Sequence, residues 1–248
     1  MNKIVFITGA SSGIGKATAL KLSNDGYDLI LCGRRAEKLE ELSTSLKTKT
    51  YSLLFDVRDR EAVQRCILDL PEEWKNISVL INNAGNAHGL SSIDNGSLDD
   101  WDAMIDGNVK GLLYVSKALI PNMIKNKKGH IINISSIAGK QTYANGAVYC
   151  ASKRGVEAIS EGMRLDLNKH NIRVCAIHPG LVETEFSDVR FKGDTNKAKT
   201  VYQGYKALQA EDIADIIHFV VTRPYHVNIE DLIVYPTAQA SATVLNKN

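Results

Sequence analysis

Three residue types, set at two places in this chain, could move a proton onto or off a carbonyl oxygen. Ser135 and Ser136 close the run His130-Ile-Ile-Asn-Ile134, and Tyr149 and Lys153 follow a polar loop, four residues apart. The run is short, mostly apolar and β-branched after the turn-forming Lys128-Gly129, so it predicts a buried strand. Its carboxyl end would deliver the two hydroxyls, at the edge where open α/β sheets place their ligands. With Tyr149 and Lys153 on a helix, phenol and ammonium share one face. A free tyrosine titrates near 10, too high for efficient exchange at neutral pH, and a cation one turn away favours the phenolate. The Ser136 hydroxyl could hold the same substrate oxygen by a hydrogen bond. The Tyr-x-x-x-Lys spacing itself carries no weight, because Tyr202 and Lys206 repeat it. No strand ending in serines precedes Tyr202, so that second pair reads as surface.

The elements that would position these groups alternate along the chain. Lys3 to Thr8 reads as a fully buried parallel strand feeding Gly9-Ala-Ser11-Ser12-Gly13-Ile14-Gly15, and a helical pattern follows from Lys16 to Asn24. A glycine-rich turn between strand and helix lets backbone approach a pyrophosphate, which the helix amino end stabilises. Here the spacing is G-x-x-x-G-x-G rather than the common G-x-G-x-x-G. A second strand, Asp28 to Cys32, runs into Gly33-Arg34-Arg35. An acidic residue at such a strand end grips a ribose 2′-hydroxyl, whereas arginine accommodates a 2′-phosphate. Arg34 and Arg35 therefore favour NADP(H) over NAD(H).

Tyr51 to Phe55 is expected as the third strand, with Asp56-Val57 beyond it and Asp59 capping a helix through Val63, Cys66, Ile67 and Leu70. Asp56 could accept from an adenine amino group or simply turn the chain. Val79 to Ile81 is expected as the fourth strand, running into Asn82-Asn83-Ala84-Gly85. Ser97, Asp99 and Asp100 then start a long helix that holds Asn108 and turns Leu112, Leu113, Val115 and Leu119 to the core. After the central stretch, Val156, Ile159, Met163 and Leu167 keep an apolar helical face. Arg173 to Ile177 is the sixth strand, ending in His178-Pro179-Gly180. From Glu183 to Gly204 periodicity fails and charge rises, so a mobile segment covering a site is expected at about 183–204. Ile213 to Val221 is helical up to Pro224, and Asp231 to Tyr235 makes a last strand. This alternation means an α/β fold, a doubly wound parallel sheet in one domain over 1–248.

Composition narrows the function. A net charge of +2 gives no reason to expect nucleic acid or a membrane surface as a partner, and no apolar run approaches a membrane span. Cys32, Cys66, Cys150 and Cys175 lack paired spacing, so reduced thiols in a cytoplasmic protein are expected, with neither a disulfide framework nor a metal site.

Taken together, Thr8-Gly9-x-x-x-Gly13-Ile14-Gly15, Asp56-Val57, Asn82-Asn83-Ala84-Gly85, Asn108, Ser136, Tyr149-x-x-x-Lys153 and Pro179-Gly180 resemble the short-chain dehydrogenase/reductase family over essentially the whole chain. The resemblance implies a Rossmann-type seven-stranded sheet in the order 3-2-1-4-5-6-7 and hydride transfer between NAD(P) and a carbonyl or alcohol. It implies Tyr149 as general acid/base and Ser136 as donor to the substrate oxygen. Lys153 would lower the tyrosine pKa and bind the nicotinamide ribose, and Asn108 would hold a proton-relaying water. Cofactor contacts would come from the glycine turn (Gly9, Ser11, Ser12, Gly13, Ile14, Gly15), Arg34, Arg35, Asp56, Val57, Asn83, Ala84, Gly85, Tyr149, Lys153, Pro179, Gly180, Val182 and Thr184.

A finer similarity lies in Gly33-Arg34-Arg35, Arg190-Phe191-Lys192-Gly193-Asp194, Arg223-Pro-x-His226-Val-Asn228-Ile and Pro236-Thr-Ala-Gln-Ala. These are similar to the NADP-dependent 3-hydroxy acid dehydrogenases, homotetramers that act on serine, allo-threonine and related acids and reduce malonic semialdehyde. His178 and Ala147 depart from that group, where an acidic residue and Asn are usual. The expected substrate is thus a small hydroxy acid, and Arg190, the arginine in the segment after Pro179-Gly180, is the candidate for its carboxylate beside Ser136 and Tyr149, although Lys192 or the backbone could do the same and basic side chains there could simply face water. Two other readings stay open: a reductase of ketones, aldehydes, sugars or acyl thioesters, and a dinucleotide-binding protein without catalysis.

Overall fold

Short apolar runs become parallel strands and the amphipathic stretches between them become the helices that cover both faces. The computed structural model describes residues 3–247, so Met1, Asn2 and Asn248, the ends of the expected single domain, lie outside the described residues. The first winding comprises β1 (Ile4–Thr8), α1 (Gly13–Asn24), β2 (Asp28–Gly33), α2 (Ala36–Ser45), β3 (Thr50–Leu54) and α3 (Arg60–Leu68). The second comprises β4 (Ile77–Asn82), α4 (Leu98–Ile105), α5 (Gly111–Lys125), β5 (Gly129–Ile134), α6 (Ala147–Leu167) and β6 (Ile172–Pro179). After β6 come a short β7 (Val182–Glu183), α7 (Phe186–Arg190), α8 (Thr195–Val201), β8 (Leu208–Gln209), α9 (Ala210–Thr222) and β9 (Asp231–Val234). The main sheet has seven strands in the order β3-β2-β1-β4-β5-β6-β9, every pair parallel. This is the expected doubly wound order, with β9 in the seventh place.

Strand alternation divides the core into two layers. Val5 and Ile7 of β1 join Leu22 of α1 and Ile213, Ile217 and Val220 of α9 on one face. Ile4 and Phe6 join Val63 and Ile67 of α3 and Val115, Leu119 and Met123 of α5 on the other. The order reverses between β1 and β4, so the loops leaving these two strands diverge and open a crevice at the carboxyl edge. All the motif loops leave the sheet on that edge.

Three expectations are corrected. The helix expected to run on from Ser97 is capped there, Ser97 accepting from the Asp100 N–H, but it widens into a π turn over Asp106–Lys110 that holds Asn108. Leu113, expected in the core, is exposed, because Leu112, Val115 and Leu119 take the inward face and Leu113 lies about 100° round from Leu112. The stretch after Glu183 is not without structure: α7 and α8 have five and seven residues, too short for a helical period to stand out in sequence. Among the described residues, no helix is long and apolar enough to cross a membrane.

One buried group makes the core acid-sensitive. His130 on β5 is 2% exposed, and neither ring nitrogen has a hydrogen-bond partner. Burial, helped by the Arg173 charge, pushes the imidazole down from 6.5 to about 3. Folding therefore requires the neutral ring. Its stability contribution is complete above the unfolded value of 6.5 and is lost as pH falls toward 3, up to roughly 4–5 kcal/mol. Urea unfolding of His130→Leu should show a flatter decline of stability between pH 6.5 and 4 than the wild type. An unchanged slope would assign the acid sensitivity to other groups.

Candidate active site

The crevice is one continuous cavity of about 490 Å³. Its floor depends on how closely α1 approaches the β1/β4 junction. Thr8 Oγ1 accepts from the backbone N–H groups of Asn83 and Ala84 at 3.0 and 2.9 Å, and Asn83 Nδ2 donates to the carbonyls of Thr8 and Gly9 at 3.0 and 3.1 Å. A Cβ at Gly15 would lie 2.3 Å from the Gly9 carbonyl oxygen and 2.6 Å from Asn83 Nδ2, so only glycine fits there. Gly9 and Gly13 have φ of +66 and +48, which turn the backbone toward the cavity at low steric cost. Ser12 precedes α1 in extended conformation, and no side chain caps that helix. The first-turn N–H groups and the helix dipole thus face the cavity.

Arg34 and Arg35 line the end beyond β2. Arg35 donates to Ser11 Oγ at 3.3 Å and to Glu185 Oε2 at 2.8 Å, while Lys38 donates to the other Glu185 oxygen at 2.7 Å. Hydrogen bonds from Lys38 and Arg35 hold the Glu185 carboxyl down to about 2. Asp56 lines the same end, but Arg58 grips it at 2.7 Å and Arg34 stands 3.5 Å away. Burial pushes the Asp56 carboxyl up; its bonds from Arg58 outweigh this and keep it below its ordinary value. An uncapped helix end, a glycine turn that a Cβ would fill and two guanidiniums fit a dinucleotide carrying an extra phosphate.

Ser136, Tyr149 and Lys153 line the opposite part of the cavity. Ser136 follows β5 in extended conformation, and its Oγ accepts from the Ala138 N–H at 3.1 Å, which leaves its own proton to donate. The Tyr149 phenol faces Ser136, which favours its ionised form. Burial is the largest influence on Tyr149 and raises its pKa, while Arg190 and the Ser136 bond pull it back. Of the charges acting on the phenol, the one that most opposes burial is that of Arg190. Lys153 is itself driven down to about 8 by burial, and its Nζ donates to the Ile134 carbonyl at 3.0 Å.

Nearly every residue expected at the site lines this cavity; Gly15 and Asn108 stand behind it. Asn108 is buried and fully engaged: Oδ1 accepts from the Asn86 N–H at 2.7 Å, and Nδ2 donates to the Asn86 carbonyl and Ser152 Oγ, both at 2.9 Å. Ser152 in turn donates to the Tyr149 carbonyl at 2.7 Å, so Asn108 braces the helix that carries the phenol. Gly85, Pro179, Gly180, Val182 and Thr184 form the wall between these two ends.

Arg190 reaches in from the end of α7. Its guanidinium lies 5.0 Å from the Tyr149 ring centroid and donates to the Tyr143 hydroxyl at 2.6 Å, while its buried Nε finds no acceptor. Sequence reasoning missed Tyr143, Glu185, Lys38 and Arg58. Tyr143 lies in an aperiodic loop, though Gly146 marks it, since a Cβ there would strike the Tyr143 ring. Glu185 and Lys38 meet only through tertiary structure and leave no pattern in the chain.

The family model described as short chain dehydrogenase matches residues 3–195. The chain is 45% identical over 240 residues to the NADP-dependent 3-hydroxy acid dehydrogenase YdfG of Escherichia coli strain K12, covering 96% of this chain and 97% of that protein. It is 40% identical over 242 residues to the serine 3-dehydrogenase of Rhizobium radiobacter, covering 98% and 97%. Among solved structures, the closed form of a serine dehydrogenase complexed with NADP+ superposes with a TM-score of 0.93 at 43% identity, covering 99% of each chain.

Proposed function

This chain belongs to the short-chain dehydrogenase family, and from that premise we infer that it is an NADP-dependent oxidoreductase of small 3-hydroxy acids. The observation that carries the reading is the placement of Arg190 over Tyr149, in the same cavity that has Arg34 and Arg35 at its other end. NADP+ bound in this cavity supplies the hydride acceptor for a carbinol carbon, and NADPH the donor for the reverse reaction. The glycine turn and α1 hold the pyrophosphate, and Arg34 and Arg35 receive the 2′-phosphate. Ser136 donates to the substrate oxygen, and Tyr149 exchanges the proton on it. Lys153 fixes the nicotinamide side of the cavity from its seat on the Ile134 carbonyl. The segment 183–204 works as a strap: Glu185 ties it to Arg35 and Lys38, and Lys192 ties it to Asp100 at 3.0 Å.

Initial rates with NADP+ and NAD+ against serine, allo-threonine, 3-hydroxypropionate and uncharged alcohols test this reading. NADP+ with a hydroxy acid should be preferred, and Tyr149→Phe should lower kcat by about 10² to 10⁴ with little change in NADP(H) binding. Preference for NAD+, or for uncharged alcohols alone, would overturn the cofactor or substrate assignment respectively.

Arg190 supplies the planar donor set for the substrate carboxylate, and Tyr143 holds its far nitrogen. Arg190→Ala should raise KM for serine at least tenfold, from losing about 1.5–3 kcal/mol of charged hydrogen bonding. Turnover of a small uncharged ketone should fall far less. Equal losses on both substrates would make Arg190 a structural part of the strap.

The chain acts as one catalytic domain, assembled as a homotetramer in the cytoplasm. Supporting this are exposed Leu98, Leu113 and Leu165 on α4 to α6 and Ile233 on β9, faces that further copies would cover, and four free cysteines, which suit a reducing compartment. Light scattering at micromolar concentration should give four times the chain mass, and a stable monomer would exclude it.

A further inference from the structure

The cavity wall does not explain why a histidine is buried directly behind it. His178 on β6 is 0% exposed and does not line the cavity. Its Nδ1 lies 3.3 Å from the Ser136 carbonyl oxygen, and its Nε2 lies 2.5 Å from Asp231 Oδ1, an ion-pair distance off the axis of an aligned hydrogen bond. Both facing atoms are acceptors. A ring held there must turn an N–H to one or both, and a donor from Nδ1 meets the peptide that carries the Ser136 side chain. The same carbonyl accepts from the Gly139 N–H at 2.8 Å, so this one oxygen is held by two elements, the Ile137–Gly139 turn and β6.

The network continues outward. Asp231, at the start of β9, receives Lys140 Nζ on its second oxygen at 2.6 Å, and Lys140 also pairs with Glu157 of α6. Arg154 stands 3.8 Å from Glu157 and donates to the Lys140 carbonyl at 3.0 Å. Lys140 directly follows the turn that Ser136 opens. The charges around the ring are therefore Asp231 from β9, Lys140 from the turn and Glu157 from α6. All of them brace the turn between β5 and α6 against the last strand, and His178 is the member that reaches the serine.

We propose that His178 is a positioning residue for the reaction: through its ring, oriented by Asp231, it holds the Ser136 peptide so that the Ser136 hydroxyl points at the substrate oxygen. This rests on the role given to Ser136 above. A hydroxyl that must donate along one direction loses effect with small rotations of its backbone, because hydrogen bonds weaken steeply with misalignment. The loss should appear chiefly in kcat, since the Ser136 hydroxyl serves the substrate oxygen while the glycine turn and the arginines lie elsewhere in the cavity.

His178→Leu removes both ring nitrogens while keeping a buried apolar side chain. It should lower kcat by about 10- to 100-fold, with the dissociation constant for NADPH unchanged within twofold. His178→Gln, whose amide can still donate toward Ser136, should recover most of the rate. The deciding measurement is a double-mutant cycle: in a Ser136→Ala background, His178→Leu should cost no further kcat, because the hydroxyl it positions is gone. A merely structural histidine would cost the same in both backgrounds, and that additive result would overturn the proposal. If Ser136→Ala keeps full activity, the role of Ser136 fails and this inference with it. Should His178→Leu not fold, Asp231→Asn carries the test, with an expected 3- to 10-fold loss of kcat that also vanishes in the Ser136→Ala background.

Discussion

The whole site depends on one steric constraint, the contact of α1 with the loop that leaves β4. Gly15 lets the first turn of α1 come down onto the Gly9 carbonyl and the Asn83 amide, where no Cβ could fit. That approach allows Asn83 to bridge two carbonyls of the β1 end and Thr8 to receive two N–H groups from the β4 end. The sheet reverses its winding at this junction, so without the clasp the two loops would diverge freely. The amino end of α1, its dipole and the glycine backbone are thereby fixed relative to the part of the cavity lined by Ser136, Tyr149 and Lys153. The G-x-x-x-G-x-G spacing is thus a packing requirement first and a phosphate cradle second.

Charge is distributed unevenly over this frame. The chain is nearly neutral overall, yet Arg34, Arg35, Lys38 and Arg58 gather at one end of the cavity and Arg190 with Lys153 at the other. Their partners Glu185 and Asp56 are partly exposed, and ion pairs of that kind add little to stability. Their placement is better understood as holding cations in position for anionic ligands. Glu185 has a second consequence, because it belongs to the strap: the carboxylate that balances Arg35 is also what closes the segment over the groove.

Much of this was legible in the chain, and the limits have physical causes. Strands such as Ile4–Thr8 and Gly129–Ile134 are buried on both faces and announce themselves as continuous apolar runs. Loops such as Gly9–Gly15 and Asn82–Gly85 are legible because close backbone contact restricts which residues fit. Leu113 misled because a leucine within an apolar helix does not declare its side until neighbouring helices are placed. The π turn that holds Asn108 left no local mark; its partners Asn86 and Ser152 lie 22 and 44 residues away in sequence. Tyr143, Glu185 and the Asp231 partner of His178 all act across long sequence separations, and a single chain gives no clue to such meetings. His178 itself stood out, while its meeting with the Ser136 carbonyl and Asp231 shows only in the fold.

The electrostatics of Tyr149 couple it to Arg190, the residue proposed above to hold the substrate carboxylate. Burial favours the protonated phenol, and the strongest opposing charge is Arg190 rather than the lysine one turn away. Lys153 is as deeply buried as the phenol, and burial pushes its ammonium down to about 8. A carboxylate paired with Arg190 would cancel much of that opposing charge. The phenol would then hold its proton more firmly with a charged substrate in place than with a neutral one. For reduction of a 3-oxo acid this is favourable, because the acid is kept protonated until the substrate oxygen gains negative charge during hydride transfer. For oxidation of the hydroxy acid the same coupling would oppose proton removal. With the carboxylate on Arg190 as proposed, recognition of the acid would be linked to the readiness of the proton across the 5.0 Å that separates the guanidinium from the tyrosine ring.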